Sequence, residues 1–406
     1  MQKAIKCGKL FCPQDGKIIK DAVILVDGDI VKDVQDDKAA IPAGYEVIDL
    51  SDRFVTPGLI DAHVHVSESG DPGATGVGVF DTVPALTLVA LRNAQADLMA
   101  GFTTLRDGGS SSFLDVALRN AIDRGEFMGP RLVVSGVCIG STGGHADDHY
   151  APGMTPSRES CAIFDGADGA RRAARHTLKY GADFIKFMAT GGVMTQGTTV
   201  GAQQLTFEEM KAICEIADLY GVHTATHAHG TNGIKDAIRA GVTSVEHGTL
   251  IDDEGIDLML QRGTYLTPTL IAPDLIIKNG VEAGIAPWVV DKAKAVAAHH
   301  SSSLHKCLER GVKISFGTDT GTPFSYHGKQ AYEFELMVNK AGFTPIQALT
   351  AATLTNSHLL RLNDKIGTLE PGKQADIVAF AGDPTEDIKA LTDCRFVMKG
   401  RVVCKS

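Results

Sequence analysis

The chain has 406 residues, of which 44% are hydrophobic and 22% charged, ordinary proportions for a soluble globular protein. Its formal net charge is −10, and no basic cluster offsets it, which excludes the electrostatic footprint of a nucleic-acid-binding protein. No stretch is apolar for long enough to read as a membrane span, and Met1 to Leu10 carries Lys3, Lys6 and Lys9 without a signal-peptide core, so the cytoplasm is the expected compartment and no membrane partner is expected.

Short alternating runs fill the first fifty or so positions. Ala22 to Val26, Asp27-Gly28 and Ile30-Val31 predict a β-hairpin. The end of the chain resembles them, with Asp376–Phe380, Arg395–Met398 and Arg401–Val403 as strand candidates. Two β-rich ends enclosing a different middle predict one small β-sandwich, residues 1–56 with 361–406, built from both termini.

The middle, residues 57–360, alternates strand and helix patterns. Strand candidates follow one another at Leu59–Ala62, Thr103–Leu105, Leu132–Val134, Phe184–Phe187, Val222–Thr226, Ser244–Val245, Tyr265–Leu266 and Lys313–Phe316. Helical patterns lie between them, as at Val83–Ala100, Phe207–Tyr220 and Val289–Arg310, and Thr206 with Glu209 makes a capping box. Gly101, Gly181, Gly221, Gly241, Gly263 and Gly311 stand where helices stop. Eight such repeats spell an α/β fold, a (β/α)8 TIM barrel. An open doubly wound sheet is the alternative, but no glycine-rich phosphate loop follows the first strand. Gly70–Gly78 reads as a plain loop, and His299 and His300 as solvated helix residues. The eight cysteines are scattered without a CxxC pair, which predicts buried thiols rather than disulfides.

A barrel carries its chemistry at the C-terminal ends of its strands. His63 and His65 end the first strand, and alternation turns both toward the mouth. Lys186 lies in the apolar strand Phe184–Met188, where a lysine is out of place; burial lowers its pKa and makes the neutral amine accessible as a base, a nucleophile or a carbamate formed with carbon dioxide. His227 ends strand five, His247 ends strand six and Asp319 follows strand eight. Four imidazoles, a carboxylate and a carbamate form a nitrogen and oxygen ligand set suited to zinc or a similar divalent ion. His229, two residues beyond His227, shares its face, so either could be a ligand.

These residues carry a resemblance. Val55-Thr56-Pro57-Gly58-Leu59-Ile60-Asp61-Ala62-His63-Val64-His65 resembles the first-strand signature of the amidohydrolase superfamily, and Gly367–Val378 resembles that family's return into its β-sandwich. Three blocks narrow the likeness: Tyr180–Lys186 running to Thr190-Gly191-Gly192-Val193-Met194, then His227-Ala228-His229-Gly230, then Ser244-Val245-Glu246-His247-Gly248. Together they are similar to the Xaa-Pro dipeptidase and Xaa-Arg carboxypeptidase-like group, related to imidazolonepropionase, and to ochratoxin-hydrolysing amidases.

The resemblance implies two divalent ions, commonly Zn2+, bridged by N6-carboxylysine at Lys186 and a hydroxide. It implies that His63, His65 and Asp319 hold one ion and His227 and His247 the other, with Lys186 and Asp319 as the catalytic pair. His145 and His229 then face substrate, and the Gly191-Gly192 turn offers backbone N–H groups. The implied reaction is hydrolysis of the amide bond of a dipeptide or N-acyl amino acid with a free C-terminal carboxylate, by a homo-oligomer, an octamer. A cyclic amidase, an ochratoxin-type amidase and a non-catalytic scaffold are the alternatives.

Overall fold

In the computed structural model the described residues are 2–36, 40–72, 81–147, 153 and 158–406. Part of the glycine-rich loop Gly70–Gly78, and of the stretch beyond His145, lies outside them. Among the described residues no helix is long and apolar enough to cross a membrane.

The chain opens with β1 (Gln2–Cys12), β2 (Lys17–Asp27), β3 (Ile30–Asp36) and β4 (Glu46–Pro57). It closes with β14 (Ile377–Phe380), β15 (Cys394–Lys399) and β16 (Val402–Lys405). Both ends enter one seven-stranded sheet in the order β16-β15-β14-β4-β1-β2-β3. The seam between them is antiparallel, Ile377 opposite Pro57 and Phe380 opposite Phe54. The terminal strands do pair with each other, and they do so in a continuous sheet. Its alternate residues, including Ile5, Cys7, Leu10, Ile24, Val26, Ile377 and Phe396, bury a core of their own. The hairpin turn is Gly28-Asp29, one residue later than the sequence indicates, because Asp27 pairs with Ile30 and the left-handed φ of 62° falls on Gly28.

Between the ends stand β5 (Leu59–Val64), β6 (Phe102–Asp107), β7 (Arg131–Val134), β8 (Cys138–Ser141), β9 (Cys161–Phe164), β10 (Phe184–Met188), β11 (His223–Ala228), β12 (Ser244–His247) and β13 (Tyr265–Thr267). Parallel pairing runs β5-β6-β7 in one sheet and β13-β12-β11-β10-β8-β9 in the other. The two join where Asp183 N–H donates to Val134 O, 2.7 Å, so β7 is the third staves' position of the barrel and β8 and β9 extend it at the rim. The last of the eight predicted strands, Lys313–Phe316, forms only a bridge, Ile314 opposite Leu266, and its neighbours explain this. Ala62 N–H donates to Phe316 O, while Phe316 N–H donates to the side chain of Asn356, so a side chain replaces the ladder at the closing seam.

The predicted helices form at Val83–Met99, Phe207–Tyr220 and Pro287–Glu309. The second has the capping box, with Thr206 accepting from Glu209 N–H and the Glu209 carboxylate accepting from Thr206 N–H. Apolar faces of these helices pack against the outer faces of the strands in one large core that includes Leu98, Phe102, Phe187, Ile213, Val245, Phe316 and Phe334.

Two expectations are corrected. Cys138 and Cys161, Cα atoms 4.9 Å apart at the start of the paired strands β8 and β9, are joined as a disulfide, while the other six cysteines are free thiols. His300 is buried rather than solvated and shares a hydrogen bond with the His247 carbonyl, 3.1 Å; helical periodicity turns it inward while His299 stays exposed.

Asn356 bonds both sides of the closing seam, donating to Ile60 O at 2.7 Å and Phe316 O at 2.8 Å and accepting from Phe316 N–H at 3.1 Å. Asn356→Ala removes all three inside a dry seam, and the expected loss is about 3 kcal/mol of stability. It is read as a lower denaturant midpoint at unchanged m-value.

Candidate metal centre

Every barrel strand that the sequence singles out delivers its side chain to one buried mouth. His63 and Lys186 are each 2% exposed, His227 and His247 6% each, so solvent does not satisfy their polar atoms. His63 Nε2 and His65 Nε2 lie 3.3 Å and 3.2 Å from Asp319 Oδ1. Lys186 Nζ is 3.3 Å from His63 Nε2. Across the mouth His227, His229 and His247 cluster with ring centroids 4.7 to 4.8 Å apart. Donor atoms of His63, His65 and Asp319 lie within 4.8 Å of one another, and so do those of His227, His229 and His247. The structure therefore brings together all six residues proposed as ligands and adds His229 to the second group.

The far nitrogens of these rings are engaged. His63 Nδ1 meets Glu246 Oε2 at 2.8 Å, His247 Nδ1 meets Thr269 Oγ1 at 2.6 Å, and His229 Nδ1 meets Thr249 Oγ1 at 2.7 Å. His65 Nδ1 faces Gly109 O at 3.3 Å. Each arrangement turns Nε2 into the mouth. His227 Nε2 is buried with no hydrogen-bond partner among the described residues. An orphaned imidazole nitrogen among other inward nitrogens and one carboxylate is a donor set that fits divalent metal ions.

The electrostatics agree. Burial holds His227 and His247 well below the ordinary histidine pKa, with neighbouring imidazoles adding to the shift, so both are neutral and carry a free lone pair at pH 7. Burial lowers Lys186 to about 8, against the opposing pull of Glu246 and Asp319. Asp319 is held well below the carboxylate range despite its burial, because His63 and the hydrogen bonds from His63 and His65 outweigh desolvation. His247, Thr269 and Asp319 all adopt left-handed backbone, φ 69°, 54° and 59°, at the rim. Such strain in non-glycine residues collects where function requires it.

His145 stacks on His227, ring centroids 4.1 Å apart, with Nδ1 2.7 Å from Thr195 Oγ1. Burial lowers its pKa to about 4. Gly192 lies directly against it, since a Cβ there would come within 2.4 Å of the imidazole. Gly191 is corrected as a donor to substrate, because its N–H donates to Ala202 O at 2.9 Å within the turn.

The supporting group that sequence reading missed is Glu246. It is fully buried, and its second oxygen accepts from Arg106 Nη2 at 2.8 Å and Ser244 Oγ at 2.5 Å. Arg106 also donates to Ala62 O, 2.5 Å, on the strand that carries His63. A Glu beside a predicted ligand in Ser244-Val245-Glu246-His247 was a signal, but only the assembled barrel shows that it faces His63 rather than solvent.

The amidohydrolase family model matches residues 54–403. The chain belongs to the amidohydrolase family. Ochratoxinase of Aspergillus niger is 31% identical over 408 aligned positions, covering 96% of this chain and 83% of the relative. The solved structure of a Xaa-Pro dipeptidase with bound methionine in the active site superposes with a TM-score of 0.94 at 35% identity, over 100% of both chains. That of a prolidase complexed with N-methylphosphonate-L-proline gives 0.91 at 29%, again over 100% of both. This amidohydrolase is a hydrolytic enzyme acting on amide bonds, and its fold is the family's barrel with a terminal β domain.

Glu246→Gln keeps the size of the side chain and removes the charge that His63 and Arg106 share. Loss of such support to a ligating histidine costs about 10–100-fold in metal affinity. That loss is expected by calorimetric titration of metal into the apoprotein, and an unchanged affinity would show that His63 needs no carboxylate behind it.

Proposed function

We propose that the enzyme cleaves the amide bond of dipeptides or N-acyl amino acids whose C-terminal carboxylate is free, using two divalent metal ions, most simply Zn2+. The observation that carries this reading is the pair of inward-facing donor groups, His63, His65 and Asp319 on one side and His227 and His247 on the other, with the Lys186 amine beside His63. Two solved relatives hold methionine and a proline phosphonate, both small molecules that carry a free carboxylate.

His63, His65 and Asp319 would hold one ion and His227 and His247 the other. Lys186 would bridge them as a carbamate: its neutral amine attacks carbon dioxide, an N–C bond forms, a proton leaves, and an anionic oxygen pair results. A pKa lowered to about 8 by burial keeps a usable fraction of that amine neutral near pH 7. When bound, the ions would bring the pKa of a water close to neutral and polarise the scissile carbonyl.

The remaining steps fall to the chain. Asp319, ionised and at the centre of the mouth, accepts the proton of the attacking water and passes it to the leaving amine. Glu246 fixes the His63 ring. His145 and His229 are neutral imidazoles whose Nδ1 atoms are already engaged by Thr195 and Thr249, so each has Nε2 left for substrate. A carboxylate gripped there orients the scissile carbonyl, which is catalysis by position.

Two experiments test this reading. Lys186→Ala should lower bound metal, measured by mass spectrometry of the dialysed protein, and abolish hydrolysis; two ions and full turnover in that variant would remove the bridge. Asp319→Asn should reduce turnover about 10²–10⁴-fold, the usual cost of losing a general base, by more than it reduces metal content.

Substrate recognition has its own test. Amidating the C-terminal carboxylate of a cleaved dipeptide should remove most of kcat/KM, and His229→Ala should lower kcat/KM with bound metal unchanged. Equal cleavage of free and amidated dipeptides would show that the carboxylate is not read.

A further inference from the structure

The helix Pro287–Glu309 stands between the last two strands of the barrel and buries one stripe along its length, including Val289, Ala293, Val296, His300, Leu304 and Cys307. His300 is the strongly polar member of that stripe and is only 3% exposed. An imidazole among apolar side chains is costly to bury unless its nitrogens are used. Its Nε2 lies 3.1 Å from the carbonyl oxygen of His247. A carbonyl only accepts, so Nε2 carries the proton and donates it. The Pro268 carbonyl stands near the ring as well, and Nδ1 makes no hydrogen bond of good geometry to any described residue. The ring therefore spends its one donor on a residue of the candidate metal centre. The helix that carries it is fixed to the mouth at a second point two turns earlier, where Lys292 donates to Thr195 O at 2.6 Å and Gly192 O at 3.3 Å.

His247 needs such a bond. It ends β12 with φ 69°, and Gly248 follows with φ 60°, so two successive residues turn left-handed. Gly248 suits that turn, and a Cβ there would fall 2.3 Å from Leu266 Cδ1. His247 has a Cβ, and its left-handed backbone persists only if its surroundings hold it. It stands one residue beyond the last pair of the β12–β13 ladder, Glu246 with Thr267. Its ring is held by Thr269 Oγ1, 2.6 Å from Nδ1, and its carbonyl by His300. The backbone angle sets the direction of the Cα–Cβ bond. A His247 peptide that relaxes toward the strand conformation therefore carries Nε2 away from His227, whose ring centroid now lies 4.7 Å away.

Resting on the two-metal reading of the same site, we propose that His300 is the positioning residue of the second ion: it holds the His247 carbonyl, and with it the left-handed backbone that aims His247 Nε2 at the position shared with His227. The support is one-sided. His63 is held by Glu246 and His65 by Gly109 O, and Asp319 N–H donates to His63 O at 2.7 Å. None of those partners lies on the helix Pro287–Glu309. Loss of His300 loosens one half of the centre and leaves the other as it is.

Zinc withdrawal from the loaded full chain tests this without turnover. A graded chelator series sets the free zinc, and native mass spectrometry counts the ions retained. The unaltered protein should hold two. In His300→Leu one ion should leave at about 10–100-fold higher free zinc, the usual cost of removing support behind a ligand, while the other leaves where it does in the unaltered protein. His247→Ala, which removes the ligand itself, should release the same ion. His300→Gln, whose amide nitrogen stands where Nε2 does, should restore retention, and His300→Asn, whose amide is too short to reach, should not. A merely structural role predicts otherwise: both ions weakened together, or Gln no better than Asn, overturns the proposal, as does a His300→Leu variant that keeps both ions. If His300→Leu fails to fold, the comparison of Gln with Asn decides. Turnover separates the readings. Two ions held with the His300 dependence described, and no dipeptide or N-acyl amino acid hydrolysed, fails the hydrolase reading alone. Hydrolysis with two ions and no His300 dependence fails this inference alone, and fewer than two ions in the unaltered protein fails the two-metal reading and this inference with it.

Discussion

Glu246 is the point through which the barrel interior and the mouth are coupled. It lies on β12 with no solvent contact, between Arg106 from β6 and His63 from β5. A carboxylate in that position is tolerable only because a guanidinium, a hydroxyl and an imidazole all meet it. Removing any one leaves a buried charge or polar group unmatched, so the network holds its members in a single geometry. The consequence at the mouth is that His63 can present only Nε2. The same logic recurs with neutral partners at His247 and His229, whose Nδ1 atoms are held by Thr269 and Thr249.

Burial supplies the second half of the chemistry. An exposed lysine is an ammonium at neutral pH and an exposed histidine a partly charged one. Inside the mouth desolvation pushes Lys186, His227 and His247 toward their neutral forms, which are the forms that bond carbon dioxide or a metal ion. Asp319 moves the other way although it is buried too, because two imidazoles bond its carboxylate. One cavity thus holds neutral donors and an anion side by side, the condition for gathering cations and for moving a proton. The left-handed backbone at His247, Thr269 and Asp319 belongs to the same arrangement: these residues turn sharply where the strands end, and the surrounding bonds hold them there.

The terminal sheet stands behind this without touching the chemistry. β4 runs directly into β5 through Pro57-Gly58, and β14 pairs with β4, so both ends of the chain meet at the first barrel strand. Gly58 is required there because a Cβ would fall within 2.0 Å of Thr103 Oγ1. His63 therefore stands on a strand tied to the sheet at its start, to Asn356 at Ile60 and to Thr318 at Asp61, and bonded beyond its end by His65 N–H to Thr320 O.

The sequence by itself determined the barrel, seven of its strand positions, the segment that closes it and the residues at their ends, because period and punctuation are local: apolar runs, a capping box and a stop glycine act within a few residues of where they are written. It also marked Lys186, since a lysine inside Phe184–Met188 contradicts its surroundings wherever the strand lies. What local pattern could not carry was contact between distant segments. That Glu246 faces His63, that His300 points inward to the His247 carbonyl, that Cys138 reaches Cys161 and that the closing segment is held by a side chain of Asn356 all depend on which strands become neighbours. His229 shows the boundary most clearly. Alternation put it on the same face as His227 and could not separate them, and tertiary structure drew it into the same cluster as His247, because the curvature of a closed barrel converges the strand ends that a flat sheet would keep apart.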